Sequence, residues 1–343
     1  MPNETILVTG VLGQDGAYLS KLMLEKGHRV VGGIRRSSTP NLWRLKELGV
    51  HNDVEFVDFE LLEDSNVINV IESVRPDRIF NLAAQSFVGA SFRQPLFTSN
   101  VDALGVLRIL ESIRRLNPEI TFYQASTSEM FGNVHETPQT ENTTLHPRSP
   151  YGVAKTFGHY ITRNYREAYG IHASSGILFN HESPLRGEDF VTRKITSTFA
   201  RIHHGSDEVL KLGNMNAQRD WGHARDYVRG MWLMTEQPEA DDYVLASGVT
   251  TSIREFLKLA AAQLGWDIAF DGTGLNEKGR DRITGRILVE VSPEFYRAAE
   301  VDVLLGDATK ARTTLGWQPE TSLPQLVEEM VAADVRRFAP VIV

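Results

Sequence analysis

The sequence predicts an α/β fold, a doubly wound parallel sheet with a smaller, mixed C-terminal lobe. The main observation is that short apolar runs alternate with helical runs through roughly the first 180 residues, as in β-α-β units that build a parallel sheet. A glycine-rich turn joins the first apolar run to the first helical run. After this region the alternation loosens, which indicates a second, less regular unit.

The predicted elements follow one another in a regular order. Thr5–Thr9 is a short apolar run that ends at a glycine, which is typical of a buried parallel strand. The run from Ala17 to Lys26 predicts a helix that ends at Gly27. Further strands are predicted at residues 29–34, 54–58, 78–82, 121–125 and 173–178, and further helices at 65–74, 101–116 and 151–169.

The loosened part of the chain predicts the domain organisation. Residues 1–180 form a Rossmann-type nucleotide-binding domain in this interpretation, and residues 181–343 form mainly a substrate-binding lobe. Clusters of glycine, asparagine and charge at 213–220 and 272–285 indicate long loops in that lobe. We expect some later segments to return to the first domain.

Composition excludes several functional classes. The net charge of −8 argues against nucleic acid or an anionic membrane as a partner. The 343 residues include no cysteine, which excludes disulfides, thiol nucleophiles and cysteine metal sites. The ten histidines show no metal-ligand spacing, so we expect no metal. With no signal-peptide pattern and no long apolar run, a cytoplasmic location is expected.

The glycine-rich turn predicts a dinucleotide site. Gly10, Gly13 and Gly16 follow the first strand with the spacing G-x-x-G-x-x-G and open the first helix. Glycines allow the backbone to approach a pyrophosphate at a helix N-terminus. The spacing differs from G-x-G-x-x-G, so a plain glycine turn is the alternative.

The end of the second strand favours NADP over NAD. An NAD enzyme usually carries an acidic residue there, whereas this chain has Arg35, Arg36 and Ser37, which suit a 2′-phosphate. Arg36 is equally well explained as a solvated charge. Asp58 ends the third strand and is placed to meet the adenine. The residues predicted to bind the cofactor are Gly10, Gly13, Gln14, Asp15, Gly16, Arg35, Arg36, Ser37, Asp58, Leu82, Ala83, Ala84 and Gln85.

Four residues form a candidate catalytic group. Tyr151 and Lys155 lie four apart, so they share one face of the predicted helix, and the ammonium is expected to lower the tyrosine pKa. Thr127 and Glu129 are two apart after a strand and are expected to point to the same side. Taken singly, each has an ordinary explanation as a buried aromatic, a helix lysine, a strand threonine or a loop carboxylate.

Several segments resemble one family. They are residues 9–19, 81–86, 123–132, 147–155, 176–184, 190–194 and 219–222. On these segments the chain resembles the extended short-chain dehydrogenase/reductases and, more narrowly, the GDP-mannose 4,6-dehydratase family. The segments 180–184 and 219–222 are specific to the narrower family. An Asp-Glu pair would be expected in a dTDP-glucose dehydratase, whereas Ser128 precedes Glu129 here.

The resemblance implies a mechanism. Tyr151, helped by Lys155 and Thr127, takes the proton of the sugar 4-hydroxyl while a hydride passes from C4 to NADP+. Glu129 then removes the C5 proton and assists loss of the 6-hydroxyl as water, and the hydride returns to C6. The implied reaction converts GDP-D-mannose to GDP-4-dehydro-6-deoxy-D-mannose, and NADP is regenerated.

The resemblance also assigns further residues. It adds Tyr151, Lys155, His181 and Arg186 to the cofactor site. The substrate residues that it implies are Ser86, Glu129, Asn180, Val191, Lys194, Gly213, Asn214, Arg219, Arg297 and Glu300. Alternatively, Lys194 is an exposed helix residue and Arg219 forms a surface ion pair with Asp220. The family usually has proline after the arginine at 297, but this chain has Ala298.

The sequence leaves the partners and the substrate partly open. By analogy with the family, we expect a homo-oligomer, a dimer or tetramer, with the loop at Arg35–Ser38 at a subunit contact. An NADP-dependent epimerase or reductase of nucleotide sugars, or a dehydratase of another GDP-sugar such as GDP-heptose, are alternatives. A catalytically inactive NADP sensor is a third, although such proteins often lose the tyrosine or lysine that this chain retains.

Overall fold

The computed structural model describes residues 3–295 and 304–340. Its strands are β1 (Thr5–Thr9), β2 (Arg29–Ile34), β3 (Glu55–Asp58), β4 (Arg78–Asn81), β5 (Thr121–Thr127), β6 (Ala173–Leu178), β7 (Asn180–Glu182), β8 (Leu210–Leu212), β9 (Gln218–His223), β10 (Asp242–Leu245), β11 (Thr250–Ser252), β12 (Ile268–Asp271), β13 (Lys278–Asp281) and β14 (Ile287–Val291). Its helices are α1 (Gln14–Glu25), α2 (Trp43–Glu47), α3 (Asp64–Val74), α4 (Val88–Arg93), α5 (Pro95–Ser99), α6 (Gly105–Leu116), α7 (Pro150–Tyr169), α8 (Val191–His203), α9 (Ala224–Thr235), α10 (Ile253–Ala262), α11 (Thr309–Leu315) and α12 (Leu323–Arg337).

The larger sheet has seven parallel strands in the order β10-β6-β5-β4-β1-β2-β3. This order confirms the predicted doubly wound sheet, because β1 lies in its interior and the chain winds outward in both directions from it. The strand at 242–245 comes late in the chain and extends the sheet beyond β6. The carboxyl ends of the strands therefore form one edge, where ligands of such sheets bind.

Helices cover both faces of this sheet. One face carries a core of buried aliphatic and aromatic side chains beneath α1, α9 and α11, with Trp317 fully buried in it. The other carries a core beneath α3, α6 and α7, with Phe122 fully buried. A strand that is covered on both faces has no solvent side, which explains why β1 and β6 lack alternation of polar and apolar residues.

The smaller lobe confirms the predicted mixed architecture. A four-stranded sheet runs in the order β12-β13-β14-β8, and only the β14–β8 pair is parallel. Its core packs against α8, α10 and α12. A separate three-stranded sheet has the order β11-β9-β7, and its strand β7 follows β6 of the large sheet after a single residue. None of the helices in the described part of the chain has the length and apolar composition that a membrane span needs.

The long helix α7 places the candidate catalytic residues. The Ser149 hydroxyl caps its N-terminus by accepting the Gly152 N–H at 3.0 Å, and Pro150 occupies the first turn, where a missing N–H costs nothing. The helix ends at Gly170, whose positive φ of 68° supplies the left-handed cap. These two caps define where α7 begins and ends.

Candidate active site

A cavity of about 1090 Å³ opens at the carboxyl edge of the large sheet. It is bordered by the β1–α1 turn, the segment after β4, the end of β5, the start of α7 and the small lobe. This is the edge at which the topology of a doubly wound sheet predicts a ligand.

The β1–α1 turn is shaped by glycines. Gly10 adopts φ +69°, and a Cβ there would lie 2.8 Å from the backbone nitrogen of Ala83. A Cβ on Gly16 would lie 2.4 Å from the carbonyl oxygen of Gly10. Both side chains would therefore collide with backbone, and only glycine allows the turn to lie this close to the segment after β4. The turn leaves the N-terminus of α1 facing the cavity, as a pyrophosphate requires.

A chain of buried hydrogen bonds connects the turn to Lys155. The Thr9 hydroxyl donates to Asn81 at 2.8 Å, and the Asn81 amide donates to Gln124 at 2.8 Å. The Gln124 amide donates to the carbonyl of Ala125 at 3.0 Å, and Lys155 Nζ donates to the same carbonyl at 2.9 Å. Because every link is buried, this chain fixes the ammonium relative to the carboxyl ends of β1, β4 and β5.

Thr127 and Glu129 line the cavity together with Tyr151. The strand β5 continues to Thr127, and Glu129 lies in a 3₁₀ turn at Ser128–Met130 that follows it. The Glu129 N–H donates to the Thr127 hydroxyl at 3.2 Å, which holds the turn against the strand end. Ser128, between them, is buried and does not line the cavity.

The expected lowering of the Tyr151 pKa is wrong for the protein alone. Burial raises this pKa well above its usual range, and the charges of Asp102 and Glu129 raise it further. A hydrogen bond with Thr127 and the charge of Arg186 act in the opposite direction but do not outweigh burial. Lys155 Nζ lies 5.8 Å from the centre of the Tyr151 ring and donates to a backbone carbonyl.

An ion pair joins the turn to β7. His181 Nε2 lies 2.8 Å from Asp15, and its Nδ1 lies 2.7 Å from the carbonyl of Phe179. A carbonyl and an ionised carboxylate only accept, so both ring nitrogens donate and the ring is an imidazolium. Burial opposes this charge, but Asp15 outweighs it and raises the pKa of His181. Burial likewise opposes the carboxylate, yet His181 lowers the pKa of Asp15.

Comparison with known proteins decides the family. The family model described as GDP-mannose 4,6 dehydratase matches residues 7–330. The GDP-mannose 4,6-dehydratase of Sinorhizobium fredii is 52% identical over 339 residues, covering 97% of each chain. The chain belongs to the GDP-mannose 4,6-dehydratase family. The human GDP-mannose 4,6 dehydratase is 45% identical over 342 residues, covering 97% of this chain and 92% of its own.

Solved structures show the same fold at low identity. DesIV, a dTDP-glucose 4,6-dehydratase of Streptomyces venezuelae, was solved with NAD and TYD and has a TM-score of 0.81 at 19% identity, covering 96% of each chain. RMD of Pseudomonas aeruginosa, solved with NADPH, has a TM-score of 0.75 at 21% identity, covering 97% of this chain and all of its own.

Most of the residues predicted for the site, from the sequence or from the family resemblance, lie around one cavity. Those that line it are Gly10, Gly13, Gln14, Asp15, Gly16, Leu82, Ala84, Ser86, Thr127, Glu129, Tyr151, Lys155, Asn180, His181, Arg186, Val191, Lys194, Gly213, Asn214 and Arg219. Those outside its lining are Arg35, Arg36, Ser37, Asp58, Ala83 and Gln85. Ala83 and Gln85 are in the segment after β4, and the other four follow or end β2 and β3, where Ile34 pairs with Asp58. Arg297, Ala298 and Glu300 lie outside the described residues.

The structure argues against the ordinary explanations of Lys194 and of the Arg219–Asp220 pair. Lys194 lies on α8 with its ammonium 3.4 Å from the centre of the Phe295 ring, so it is not simply an exposed helix residue. Asp220 is fully buried and accepts from Ser247 and Gly248, so it is not part of a surface ion pair. Among residues 3–295 and 304–340, no group of three or more His, Cys, Asp or Glu side chains could hold a metal ion.

Sequence reasoning missed several cavity residues. Phe190 and Phe295 present rings to the cations of Arg186 and Lys194, at 3.6 and 3.4 Å from the ring centres. Phe190 precedes α8 and lies in the segment 190–194, which resembles the family. That resemblance could have identified Phe190 as a site residue. The others carried no motif; they include Phe87, Arg93, Arg201, Glu208, Lys211 and Glu294.

The Asp15–His181 pair predicts a pH-dependent stability. The raised pKa of His181 means that its contribution is fully present below about pH 6.5 and is lost as pH rises through the folded pKa. We therefore expect His181→Gln to lower the free energy of unfolding more at pH 6 than at pH 9, measured by urea unfolding in one cofactor state. The exposed His203→Gln is the control, and an equal loss at both pH values would contradict the ion pair.

Proposed function

We propose that this protein is a hydro-lyase that converts GDP-D-mannose to GDP-4-dehydro-6-deoxy-D-mannose and water with tightly held NADP. The observation that supports it most is that Tyr151 and Glu129 line one cavity together with the glycine turn. An oxidation site needs only the tyrosine and lysine, whereas loss of water also needs an acid or base near C5 and C6. Relatives that share about half of the sequence are named as this dehydratase.

The described residues fit a dinucleotide. Gly10 and Gly16 keep the turn tight and bare of side chains, because a Cβ at either position would collide with backbone. We further propose that residues 1–180 hold most of the cofactor and residues 181–343 most of the sugar nucleotide. The preference for NADP is supported by Arg35 and Arg36, which are exposed after β2, at the edge where Asp58 also ends its strand.

The preference predicts a cofactor switch. Arg35→Glu should weaken NADP binding by about 10–100-fold, because hydrogen bonds to charged groups contribute about 1.5–3 kcal/mol. Binding of NAD should be unchanged or tighter. Both constants are measured by titration of the purified protein. The exposed Arg282→Glu serves as a matched charge reversal, and equal weakening of NADP and NAD by Arg35→Glu would contradict the assignment.

The chain's own residues divide the proton transfers. Tyr151 takes the proton of the 4-hydroxyl, with Thr127 hydrogen-bonded to the phenol and favouring its ionised form. Glu129, which lines the same cavity, removes the C5 proton once C4 is a ketone and delivers a proton to the departing 6-hydroxyl. When bound, NADP+ supplies the acceptor for the C4 hydride, its later return to C6, and a positive charge that favours the phenolate.

The small lobe supplies the groups that hold the nucleotide diphosphate. Lys194 and Arg219 line the cavity, and both suit phosphate oxygens. The Phe295 ring beneath the Lys194 ammonium restricts where this charge can point. Asp220 secures the strand that carries Arg219, because its carboxylate accepts the N–H groups of Ser247 and Gly248 at 2.8 and 2.9 Å.

One incubation tests the function. The purified protein is mixed with GDP-mannose, GDP-heptose, UDP-glucose or dTDP-glucose, and product mass is read out together with net NADPH. We expect loss of one water from GDP-mannose with no net change in NADPH. A product of unchanged mass would indicate an epimerase, consumption of NADPH a reductase, and no product with retained NADP binding a sensor.

We also propose a cytoplasmic homo-oligomer, a dimer or tetramer. Val153, Phe157 and Tyr160 are exposed on one face of α7, beside Phe92 and Leu96 of α4 and α5. An apolar surface of this kind on a soluble enzyme usually marks an interface. We expect Phe157→Glu to shift the sedimentation coefficient to a smaller species, whereas Tyr169→Glu, near the far end of α7, should not. A monomeric parent protein would contradict the proposal.

A further inference from the structure

We propose that Asp102 is a positioning residue of the active site, the buried counter-ion that keeps Lys155 charged. Asp102 lies in a π-helical turn, Asn100–Leu104, between α5 and α6. It is neither part of a motif nor a lining residue of the cavity. The inference deepens the proposed function, on which its kinetic test depends.

The packing of the turn on α7 brings Asp102 to the face that carries Lys155. Gly158 lies three residues after Lys155, so the two share a face of the helix. A Cβ on Gly158 would lie 3.1 Å from the carbonyl oxygen of Asp102. The glycine thus lets the extra residue of the π-helical turn approach α7, and turns of this kind often occur at functional sites.

The carboxylate is buried and incompletely bonded. Asp102 is 1% exposed, and its Oδ1 accepts the backbone N–H of Gln85 at 2.8 Å. Its Oδ2 is also buried and has no hydrogen-bond partner among the described residues. A buried carboxylate is costly unless an opposite charge compensates it. One acceptor contact to a neutral amide does not supply that charge.

Lys155 has the complementary requirement. It is 3% exposed, and its Nζ donates to the carbonyl of Ala125, which is uncharged. Burial lowers the pKa of Lys155, and the charges of Asp102 and then Asp15 oppose this. Burial raises the pKa of Asp102 to about 6, and the charge of Lys155 opposes that rise. Each residue therefore stabilises the ionised form of the other across the interface between the turn and α7.

Two further links make Asp102 a positioning residue rather than a distant charge. Through the Gln85 N–H it holds the segment after β4, which borders the cavity. Its charge also acts on Tyr151. Of the other charged groups nearby, Asp15 acts on Lys155, whereas Glu129 and Arg186 act on the neighbouring Tyr151.

The substitution Asp102→Asn isolates the charge. Asparagine keeps the shape and an oxygen that can accept from Gln85, but it removes the negative charge. Removal of an anion lowers the pKa of both a lysine and a tyrosine nearby. We therefore expect both limbs of the pH profile of turnover to move to lower pH, by about one pH unit. The two proteins should differ only above about pH 6, where Asp102 of the parent is ionised.

A second measurement is independent of turnover. In protein labelled with isotope on lysine, the Lys155 side-chain resonance is assigned by its absence in Lys155→Met, and its titration midpoint should fall by about one pH unit in Asp102→Asn. The midpoint is readable even if the protein has another activity, so failure of the proposed function and failure of this inference are distinguishable. Should Asp102→Asn not fold, Asp102→Ser, which can also accept from Gln85, is titrated in its place.

Asp226→Asn is the matched control. Asp226 is also buried and accepts backbone N–H groups, from Glu320 and Thr321, but it lies on α9, away from α7. We expect this variant to leave the pH limbs and the Lys155 midpoint unchanged. A uniform fall in turnover in Asp102→Asn, with neither limb nor midpoint displaced, would show that Asp102 only supports the fold and would overturn the proposal.

Discussion

Replacing Tyr151 by phenylalanine should abolish oxidation of the sugar while leaving the fold and the cofactor site intact. The phenol is the group assigned to take the proton of the 4-hydroxyl, and groups of this kind contribute about 10²–10⁴-fold to rate. Only the hydroxyl is removed from a ring that is 7% exposed, so packing is kept. Single-turnover absorbance of NADPH after GDP-mannose is added to the NADP+ form measures the step.

The control for this variant is Tyr169→Phe. Tyr169 lies at the other end of the same helix and is half exposed. It should reduce NADP+ at the parent rate. Normal formation of NADPH in Tyr151→Phe would remove the tyrosine from the mechanism, whereas loss of NADP binding would indicate a structural effect.

Replacing Glu129 by glutamine should separate oxidation from dehydration. The amide keeps the size of the side chain but cannot accept the C5 proton, so loss of water should slow by about 10²–10⁴-fold. The oxidation step depends on Tyr151 and should persist, so NADPH and a 4-keto sugar of unchanged carbon skeleton should accumulate. Mass analysis of the quenched reaction distinguishes this intermediate from the dehydrated product.

The matched control is Glu119→Gln, which changes an exposed carboxylate before β5. It should dehydrate GDP-mannose at the parent rate. Near-normal turnover in Glu129→Gln would mean that another group removes the C5 proton, and this would contradict the role proposed for Glu129. Equal loss of NADPH formation and of dehydration would instead make Glu129 a residue that orients the sugar.

The sheet was predictable because its signals are local. Strands covered on both faces lack alternation of polar and apolar residues, and the predicted bounds of β1, β2 and β6 agree with the structure. β5 was predicted to end at Ala125 but continues to Thr127, which pairs with Leu178. Polar residues such as Ser126 and Thr127 give no local indication that they pair in a strand. The prediction therefore treated Thr127 and Glu129 as alternating residues at a strand end and missed the 3₁₀ turn that contains Glu129.

Other features depend on contacts that sequence spacing does not show. The π-helical turn at Asn100–Leu104 overlaps the start of what the pattern predicted as a single helix over residues 101–116. One extra residue in a turn does not alter an apolar pattern enough to be seen, so the burial of Asp102 was not foreseen. The pKa of Tyr151 was predicted with the wrong sign, since spacing shows the nearby lysine but neither burial nor the two carboxylates.

The site residues also divide into those that local motifs predict and those that depend on tertiary packing. Motifs near the sheet edge placed Gly10, Tyr151 and Lys155 around the cavity, because the chain order of a doubly wound fold brings strand ends together. The aromatic rings of Phe190 and Phe295 come from separate parts of the smaller lobe. Their positions depend on how that lobe packs against the sheet, which no short motif specifies.

The central claim is that one phenol and one carboxylate act on neighbouring carbons of a single hexose. A crystal structure of Glu129→Gln with NADP and GDP-mannose tests it most directly. We predict that the Tyr151 oxygen lies within hydrogen-bond reach of the sugar 4-oxygen, about 2.6–3.2 Å, with the side chain of residue 129 beside C5. A hexose bound with its C4 and C5 away from either side chain would contradict the account.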